Sequence, residues 1–297
     1  MPGKLLNSFL LLAGMLIVCF SAFPQSAELD SLKALLKEAS GNRKGHLLNE
    51  IGLRLTNEEA LNYYEQAIAE STDSVLLARA FCNLGNIMEQ AGRIEEAEKL
   101  LETAIPGFEK IPAAQKYTVR MYSVLGRINM FTGRYSTAMR LFHKELSMAE
   151  QENDSFAITG ALIDLGLLHY KIRRNEKALE LFGKGRDYCE GNKQALFCFY
   201  ANSSLCLSEL GQPPIGLEYC KVAFPYTEEK PTRLLHLEFA TGFAELKLGC
   251  TGDAREMFTR SLGKSIELND ARMQADNLLY TGKAWLPMQC SIRLTIY

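Results

Sequence analysis

The side chains best suited to acid–base catalysis or metal binding are spread thinly along this sequence. The four histidines are scattered along the chain, at His46, His143, His169 and His236. Acidic pairs such as Glu95–Glu96 stand at predicted helix starts, where carboxylates favour the helix dipole and stay solvated. The chain has no H-E-x-x-H, G-x-S-x-G or Walker-type motif. We therefore expect no enzymatic activity and predict no catalytic residue, no cofactor and no metal ion.

A three-residue pattern recurs six times and indicates which elements hold these side chains. A small residue (leucine in the first copy) is followed twelve positions later by a second small residue, and four positions after that by a larger, mostly aromatic one. Copies begin every 37 to 41 residues: Leu48–Ala60–Tyr64, Gly85–Ala97–Leu101, Gly126–Ala138–Phe142, Gly166–Ala178–Phe182, Ser204–Gly216–Cys220 and Gly242–Ala254–Phe258. A fixed pattern at this period predicts a helical hairpin stacked on copies of itself.

The spacing also predicts how each hairpin packs. Apolar residues at spacings of three, four and seven make each segment an amphipathic helix. We expect the two small residues to face each other across the hairpin, and the larger residue to fill the gap against the next unit. The best-matching packing residues are Gly85, Ala97, Gly126, Ala138, Gly166, Ala178, Gly242 and Ala254. Glycine tolerates the left-handed backbone of a tight turn, which we predict at Gly92, Gly133, Gly211 and Gly249.

The pattern resembles the tetratricopeptide repeat, whose consensus places Leu-Gly in the first helix and Ala, an aromatic residue and Ala in the second. Here it reads Leu84-Gly85, Ala97, Leu101, Ala104 in one unit. The resemblance covers about residues 41–285 and implies an all-α fold, a right-handed α-solenoid of stacked antiparallel helix pairs. The units are longer than the family's roughly 34 residues, which suggests longer helices. A HEAT or armadillo solenoid has this unit length but lacks the glycine–alanine pairing.

The resemblance further implies a binding groove along the concave face, lined by the first helix of each pair. The positions that line it in the family correspond here to Asn49, Arg79, Asn86, Arg120, Arg127, Phe131, Tyr170, Lys171, Phe239, Phe243 and Lys247. We expect the two asparagines to bond the backbone of an extended peptide. The three arginines would offer cations to an acidic group or a chain terminus, and Tyr170, Phe239 and Phe243 would form apolar pockets. The alternative is that individual members are ordinary solvated or half-buried helix residues.

The N-terminus has the composition of an export signal. Lys4 precedes an apolar run over residues 9–20, and small residues follow it, so we predict a signal peptide over residues 1–27. Its cleavage point is ambiguous, and the alternative is an uncleaved anchor. A lipoprotein would need a small residue before Cys19, where Val18 stands.

The remaining boundaries follow from the repeat. Residues 28–40 are predicted to form a capping helix, and residues 41–285 to form six helix pairs plus a seventh first helix over 272–285. Residues 286–297 are predicted to be an irregular tail. Unit five, which contains Pro213, departs most from the pattern.

Three of the eight cysteines lie within one repeat, at Cys198, Cys206 and Cys220. An exported protein permits a disulfide among them. The alternative, which we favour, is that they are buried small hydrophobic residues. None of the cysteines forms a C-x-x-C pair, which argues against a zinc site.

Charge and repeat architecture together indicate binding rather than catalysis. A net charge of −2 argues against a nucleic-acid partner. We expect an exported, periplasmic or cell-envelope scaffold that binds a protein or peptide in the groove, with no membrane contact beyond the export signal or an N-terminal anchor. Arrays behind a signal peptide are similar to the input regions of bacterial sensor kinases and regulators, which implies a sensing module. The alternative is a cell-envelope assembly or trafficking factor, and an unrecognised enzyme is disfavoured.

Overall fold

The computed structural model describes residues 27–55, 58–189 and 191–286 of the chain. The predicted signal peptide, apart from residue 27, and the predicted tail beyond residue 286 lie outside the described residues. All regular secondary structure in the described part is helical, so the predicted all-α fold of stacked antiparallel helix pairs is confirmed.

The helices follow one another in pairs after a short first helix, α1, over residues 27–36. The pairs are α2 (Gly41–Gly52) and α3 (Glu58–Glu70), α4 (Ser74–Gln90) and α5 (Ile94–Phe108), α6 (Gln115–Phe131) and α7 (Tyr135–Gln151), α8 (Ser155–Lys171) and α9 (Asn175–Asp187), α10 (Lys193–Glu209) and α11 (Pro213–Ala223), and α12 (Pro231–Leu248) and α13 (Thr251–Glu267). A further helix, α14 (Ala271–Trp285), ends the described chain. We call the first member of each pair, and α14, an A helix, and the second member a B helix.

The chain forms two compact units, residues 1–84 and 85–297. In the first unit, Leu48, Ala67 and Ala80 form a buried core. Gly52 provides the space for the Tyr64 ring, because a Cβ on Gly52 would lie 2.6 Å from Tyr64 Cε1. The first copy of the pattern therefore uses a glycine one turn after Leu48.

Glycine–aromatic contacts set the hairpin packing of the second unit. A Cβ on Gly126 would overlap the ring of Phe142, and one on Gly166 would overlap the ring of Phe182. Both rings are buried. We expected the larger residue of each copy to face the next unit. Each ring lies over the glycine of its own hairpin, where it sets how closely the two helices approach. It also shares a buried cluster with residues of the next pair, Phe142 with Leu165 and Phe182 with Phe199, in line with that expectation.

The turns inside the second to the sixth helix pair share one backbone geometry. Gly92, Gly133, Gly211 and Gly249 all have positive φ, as the sequence predicts. In the hairpin at Gly133, the N–H of Arg134 donates to the carbonyl of Asn129, five residues back, at 2.8 Å. This bond closes a helix C-terminus of the Schellman type. The fourth pair has the same geometry with Arg173 at φ 63°. We predicted no turn there from the sequence, because the position holds no glycine.

Side chains cap the A helices that follow several of the connections between pairs. Asp154 accepts from the backbone N–H of Phe156 and Ala157, each at 3.0 Å, at the start of α8. Asn192 and Asp270 cap α10 and α14 in the same way. Such caps satisfy N–H groups that the helix itself leaves unbonded.

No helix among the described residues is both long enough and apolar enough to cross a membrane.

Candidate functional site

The predicted groove residues all lie on A helices, but they differ in how accessible they are. Arg120, Lys171 and Lys247 are exposed, whereas Asn49 and Phe243 are buried. The others are half-buried: Arg79, Asn86, Arg127, Phe131, Tyr170 and Phe239.

In the first unit, the two predicted groove residues already have partners. Asn49 is fully buried, and its Nδ2 donates to the carbonyl of Gly45 in the same helix at 3.1 Å. The expectation that Asn49 bonds a peptide backbone is therefore wrong. Arg79 donates to Glu50 at 2.6 Å, and Glu50 also accepts from Arg54. Burial raises the pKa of Glu50, but the two guanidinium groups outweigh it, so the net pKa is lowered.

In the second unit, Arg127 lies in a buried cluster of charges rather than on an open surface. Its guanidinium donates to Asn86 Oδ1 at 2.9 Å and to Ser123 Oγ at 2.9 Å, and it lies 3.4 Å from Glu89 Oε2. Asp164 lies 3.9 Å from the same guanidinium. The expectation that Arg127 offers its cation to an acidic ligand is wrong, because neighbouring A helices already supply its partners. Asn86, which was expected to bond a peptide backbone, accepts from Arg127 through its Oδ1.

The cluster holds more negative than positive groups beneath its surface. Glu89, Glu145 and Asp164 are all buried, and one oxygen of Glu145, Oε2, has no hydrogen-bond partner. Burial raises the pKa of Glu145 well above its usual range, and the nearby Asp164 raises it further. Burial also raises the pKa of Asp164, although Arg127 opposes the shift. Burial alone would lower the pKa of Arg127, but Glu89, Asp164 and Glu145 raise it overall. We call Glu89, Ser123, Arg127, Glu145 and Asp164 the acidic cluster.

Helix α14 reaches the acidic cluster from the other end of the second unit. Arg272 Nη1 lies 3.5 Å from Glu89 Oε1, and the guanidinium carbon lies 4.5 Å from the centre of the Phe131 ring. Lys171 Nζ lies 5.8 Å from the same ring. At the start of α14, Ala271 Cβ lies where it would be 3.7 Å from a Cβ on Gly92. The acidic cluster is therefore covered by a side chain that lies 183 residues away from Glu89 along the chain.

The predicted aromatic pockets are filled by the same helix. The Tyr280 ring of α14 lies 5.4 Å from the Phe239 ring and 5.3 Å from the Phe243 ring, centre to centre. Lys247, beside them, donates to Glu209 at 2.9 Å. Burial raises the pKa of Tyr170, and Tyr280 raises it further. Sequence reasoning predicted Tyr170, Phe239 and Phe243 as pockets for a ligand, but it missed Tyr280 as the side chain that packs against Phe239 and Phe243.

A second cleft, of about 660 Å³, lies between the B helices α7 and α9. Leu146, Leu162 and Leu181 contribute to its apolar floor, and His143 and His169 both line it. The Nδ1 atom of His169 is buried without a hydrogen-bond partner. Burial lowers the pKa of His169, and Arg174, Lys177 and His143 lower it further. The structure thus brings together two histidines that the sequence placed in separate units.

The remaining chemistry-bearing groups are isolated. Among the residues that the structure describes, no group of three or more histidine, cysteine, aspartate or glutamate side chains could hold a metal ion. Cys198, Cys206 and Cys220 are free thiols. Cys206 and Cys220 are buried, in line with the interpretation of small hydrophobic core residues, whereas Cys198 is half-buried. Cys220 Sγ lies 3.1 Å from Ser204 Oγ.

Comparison with known proteins agrees with this architecture. The family model described as "Tetratricopeptide repeat" matches residues 54–110. The chain contains tetratricopeptide repeats. No curated protein matches it in sequence.

Solved structures extend the similarity in fold to most of the chain. A Rap protein complexed with competence and sporulation factor is 12% identical, with 87% of this chain and 79% of that chain covered and a TM-score of 0.65. A tetratricopeptide repeat protein from Parabacteroides merdae is 15% identical, with 94% and 99% covered and a TM-score of 0.60. A signal transduction ATPase with a tetratricopeptide repeat sensor from Pyrococcus horikoshii is 18% identical, with 86% and 40% covered and a TM-score of 0.58.

Proposed function

We propose that this tetratricopeptide-repeat chain is a non-enzymatic scaffold that binds a segment of a partner protein along its A helices. The observation that carries the proposal is that some predicted groove residues of the second unit are exposed, whereas others are already paired within the chain. Arg120, Lys171 and Lys247 are exposed there, and two of them lie near aromatic rings, Lys171 at 5.8 Å from Phe131 and Lys247 at 5.3 Å from Phe243. The carboxylates of the acidic cluster are buried. A surface that combines exposed cations, aromatic rings and buried acids can bind polar and apolar groups of one peptide.

The structural neighbours support binding as the role of such a fold. The Rap protein is complexed with competence and sporulation factor, and the Pyrococcus horikoshii ATPase carries a tetratricopeptide repeat sensor. We propose for this chain the same kind of role, the recognition of another protein or peptide. We also propose, from the sequence of residues 1–27, that the chain is exported to the periplasm or cell envelope and acts there in sensing.

The test is affinity capture with the full chain from the native host, followed by cross-linking and mass spectrometry. One variant reverses two exposed cations on A helices, Arg120→Glu with Lys171→Glu. A matched control reverses two exposed cations on B helices, Lys184→Glu with Lys221→Glu. We expect the wild type and the B-helix control to capture the same partner and the A-helix variant to lose it.

Two results would contradict the proposal. If the A-helix variant keeps the partner and the B-helix control loses it, the binding face lies on the B helices, where the second cleft is found. If none of the three folded proteins captures a specific partner, the chain is not a protein-binding scaffold.

A further inference from the structure

A cation from outside the acidic cluster, Arg272 of α14, contacts the cluster, whose own residues lie on α4, α6, α7 and α8. Glu89 binds two guanidinium groups, since its Oε2 lies 3.4 Å from Arg127 and its Oε1 lies 3.5 Å from Arg272. Arg127 is part of the cluster, whereas Arg272 arrives from α14. The side chain of Glu89 is only 5% exposed, so water cannot replace these cations well.

The charges beneath Arg272 call for a cation at this place. Burial and Asp164 raise the pKa of Glu145, which favours its neutral form. Glu89 and Asp164 alone still outnumber the one half-buried guanidinium that they face, that of Arg127, when Arg272 is left out. Glu145, itself only 3% exposed, has an oxygen without any hydrogen-bond partner. This unpartnered oxygen shows that the hydrogen bonds within the acidic cluster leave one of its buried polar atoms unused.

The geometry around Arg272 favours arginine over other cations. The planar guanidinium lies over the face of Phe131 while one of its nitrogens points to Glu89. A guanidinium can stack on a ring and donate to a carboxylate at the same time, because its donors lie in the plane of the group. An ammonium group would have to give up one of the two contacts to optimise the other.

Arg272 is nonetheless held weakly. Its single contact with a carboxylate is 3.5 Å long, and its side chain is 36% exposed. It also lies in the first turn of α14, where a positive charge is unfavourable for the helix dipole. An arginine from outside, free of that constraint, would make a better contact with the same carboxylate.

We propose that Glu89 and Phe131 form a binding site for an arginine side chain of the partner peptide, and that Arg272 occupies this site as an internal competitor. The inference rests on the proposed function and names the chemistry of the partner. A peptide with an arginine would displace Arg272, and release of that side chain would free the start of α14 from α4.

The test uses the full chain and a defined probe. The probe is the blocked pentapeptide acetyl-Ala-Ser-Arg-Ser-Ala-amide, and its counterpart carries citrulline, which is neutral and of the same shape, in place of arginine. Binding is measured by calorimetry for the wild type, Arg272→Ala and a control, Arg255→Ala. Arg255 also stacks on an aromatic ring, that of Trp285 at 4.0 Å, but it takes no part in the cluster.

We expect Arg272→Ala to bind the arginine peptide at least about tenfold more tightly than the wild type, because an internal competitor lowers the apparent affinity by the fraction of sites it occupies. Arg255→Ala should bind like the wild type, and the citrulline peptide should bind none of the proteins. Adding Glu89→Gln to Arg272→Ala should abolish binding. Circular dichroism shows whether each variant is folded.

Equal affinity of the wild type and Arg272→Ala, or no binding to either, would overturn the inference. The affinity capture described above separates this failure from failure of the proposed function. A partner captured equally by the wild type and Arg272→Ala contradicts the competitor but leaves the scaffold standing. A chain that captures no partner in either form contradicts both.

Discussion

Replacing Gly126 with alanine should destabilise the protein, although alanine is the better helix former. A Cβ at this position would overlap Cε1 of the Phe142 ring and would lie 2.6 Å from Cδ1 and 3.0 Å from Cζ. The ring is fully buried, so it has no solvent to move into. Helix α6 or the ring must therefore shift to make room.

The magnitude follows from two opposing contributions. Alanine in place of glycine inside a helix favours folding by about 1 kcal/mol. Overpacking of a close-packed core costs about 1–3 kcal/mol. The balance is a net loss of up to about 2 kcal/mol for Gly126→Ala. Gly126→Leu adds more atoms to the same overlap and should cost more.

Gly183 in α9 provides a matched control. It is also a helical glycine, but no heavy atom apart from its chain neighbours and the backbone of its own helix lies within 4 Å of the place its Cβ would take. Gly183→Ala should therefore gain up to about 1 kcal/mol from helix propensity alone. The same substitution is thus expected to change stability in opposite directions at the two positions. Adding Phe142→Leu to Gly126→Ala should relieve part of the loss, because the overlapping ring is then removed.

The assay is urea unfolding of the full chain followed by far-ultraviolet circular dichroism, together with thermal unfolding. For a chain of roughly this size, a change of 1 kcal/mol moves the midpoint temperature by about 2–4 °C. Stacked repeats need not unfold in one step, so the free energies hold only where the two probes give coincident transitions. If Gly126→Ala stabilises the protein as much as Gly183→Ala does, the glycine–ring contact does not set the hairpin spacing.

Three further predictions concern charge and titration. Arg127→Glu should lower the free energy of unfolding in urea by about 3–5 kcal/mol, because it leaves buried carboxylates unpaired. Arg120→Glu, at an exposed site, should stay within about 0.5 kcal/mol of the wild type. Equal effects of the two substitutions would contradict the buried cluster. Burial lowers the pKa of His236 from 6.5 to about 4; Arg272 lowers it further, and Asp270 opposes the shift. Between pH 6.5 and pH 4, His236 is therefore protonated in the unfolded chain but neutral in the folded chain. The free energy of unfolding should fall by at most about 3 kcal/mol as the pH is lowered to 4. His236→Phe should remove this contribution to the pH dependence of stability. At pH 8, a thiol reagent should label exposed Cys250 quickly, so Cys250→Ser should lose one fast-reacting thiol; buried Cys206, whose pKa burial raises to about 12, should react only on unfolding.

The hairpins could be predicted from sequence because their determinants are local. Gly126 and Phe142 are sixteen residues apart in adjacent helices, so their spacing alone brings them together. The turn glycines are equally local, because positive φ is a property of one residue. Arg173 escaped prediction for the same reason, since arginine gives no sign that the backbone at its position is left-handed.

The acidic cluster was harder to predict because its pairs lie one whole unit apart. Arg127 bonds Asn86 and Ser123 bonds Asp164, each 41 residues away. Asn86 and Arg127 each follow the first glycine of their copy directly, so comparing equivalent positions in neighbouring units could have revealed that pair. Asp164 carries a further signal, a charged residue inside the apolar run of α8. A family's groove positions indicate which helix face a side chain takes, but not which group lies opposite.

The contact of Arg272 with Glu89 is neither within one hairpin nor between neighbouring hairpins. It depends on how successive hairpins of the second unit are rotated relative to one another. The two residues are 183 positions apart, and their meeting sums the small rotations between all the pairs in between. No residue type or spacing encodes that sum, so the sequence alone could not show that α14 covers the face it helps to build. The internal pairing therefore reverses the charge of the ligand that the groove is expected to favour. Arginines counted from sequence suggested a site for an acid, whereas the folded chain pairs Arg127 internally and leaves the surplus on the acidic side, which a cation must balance.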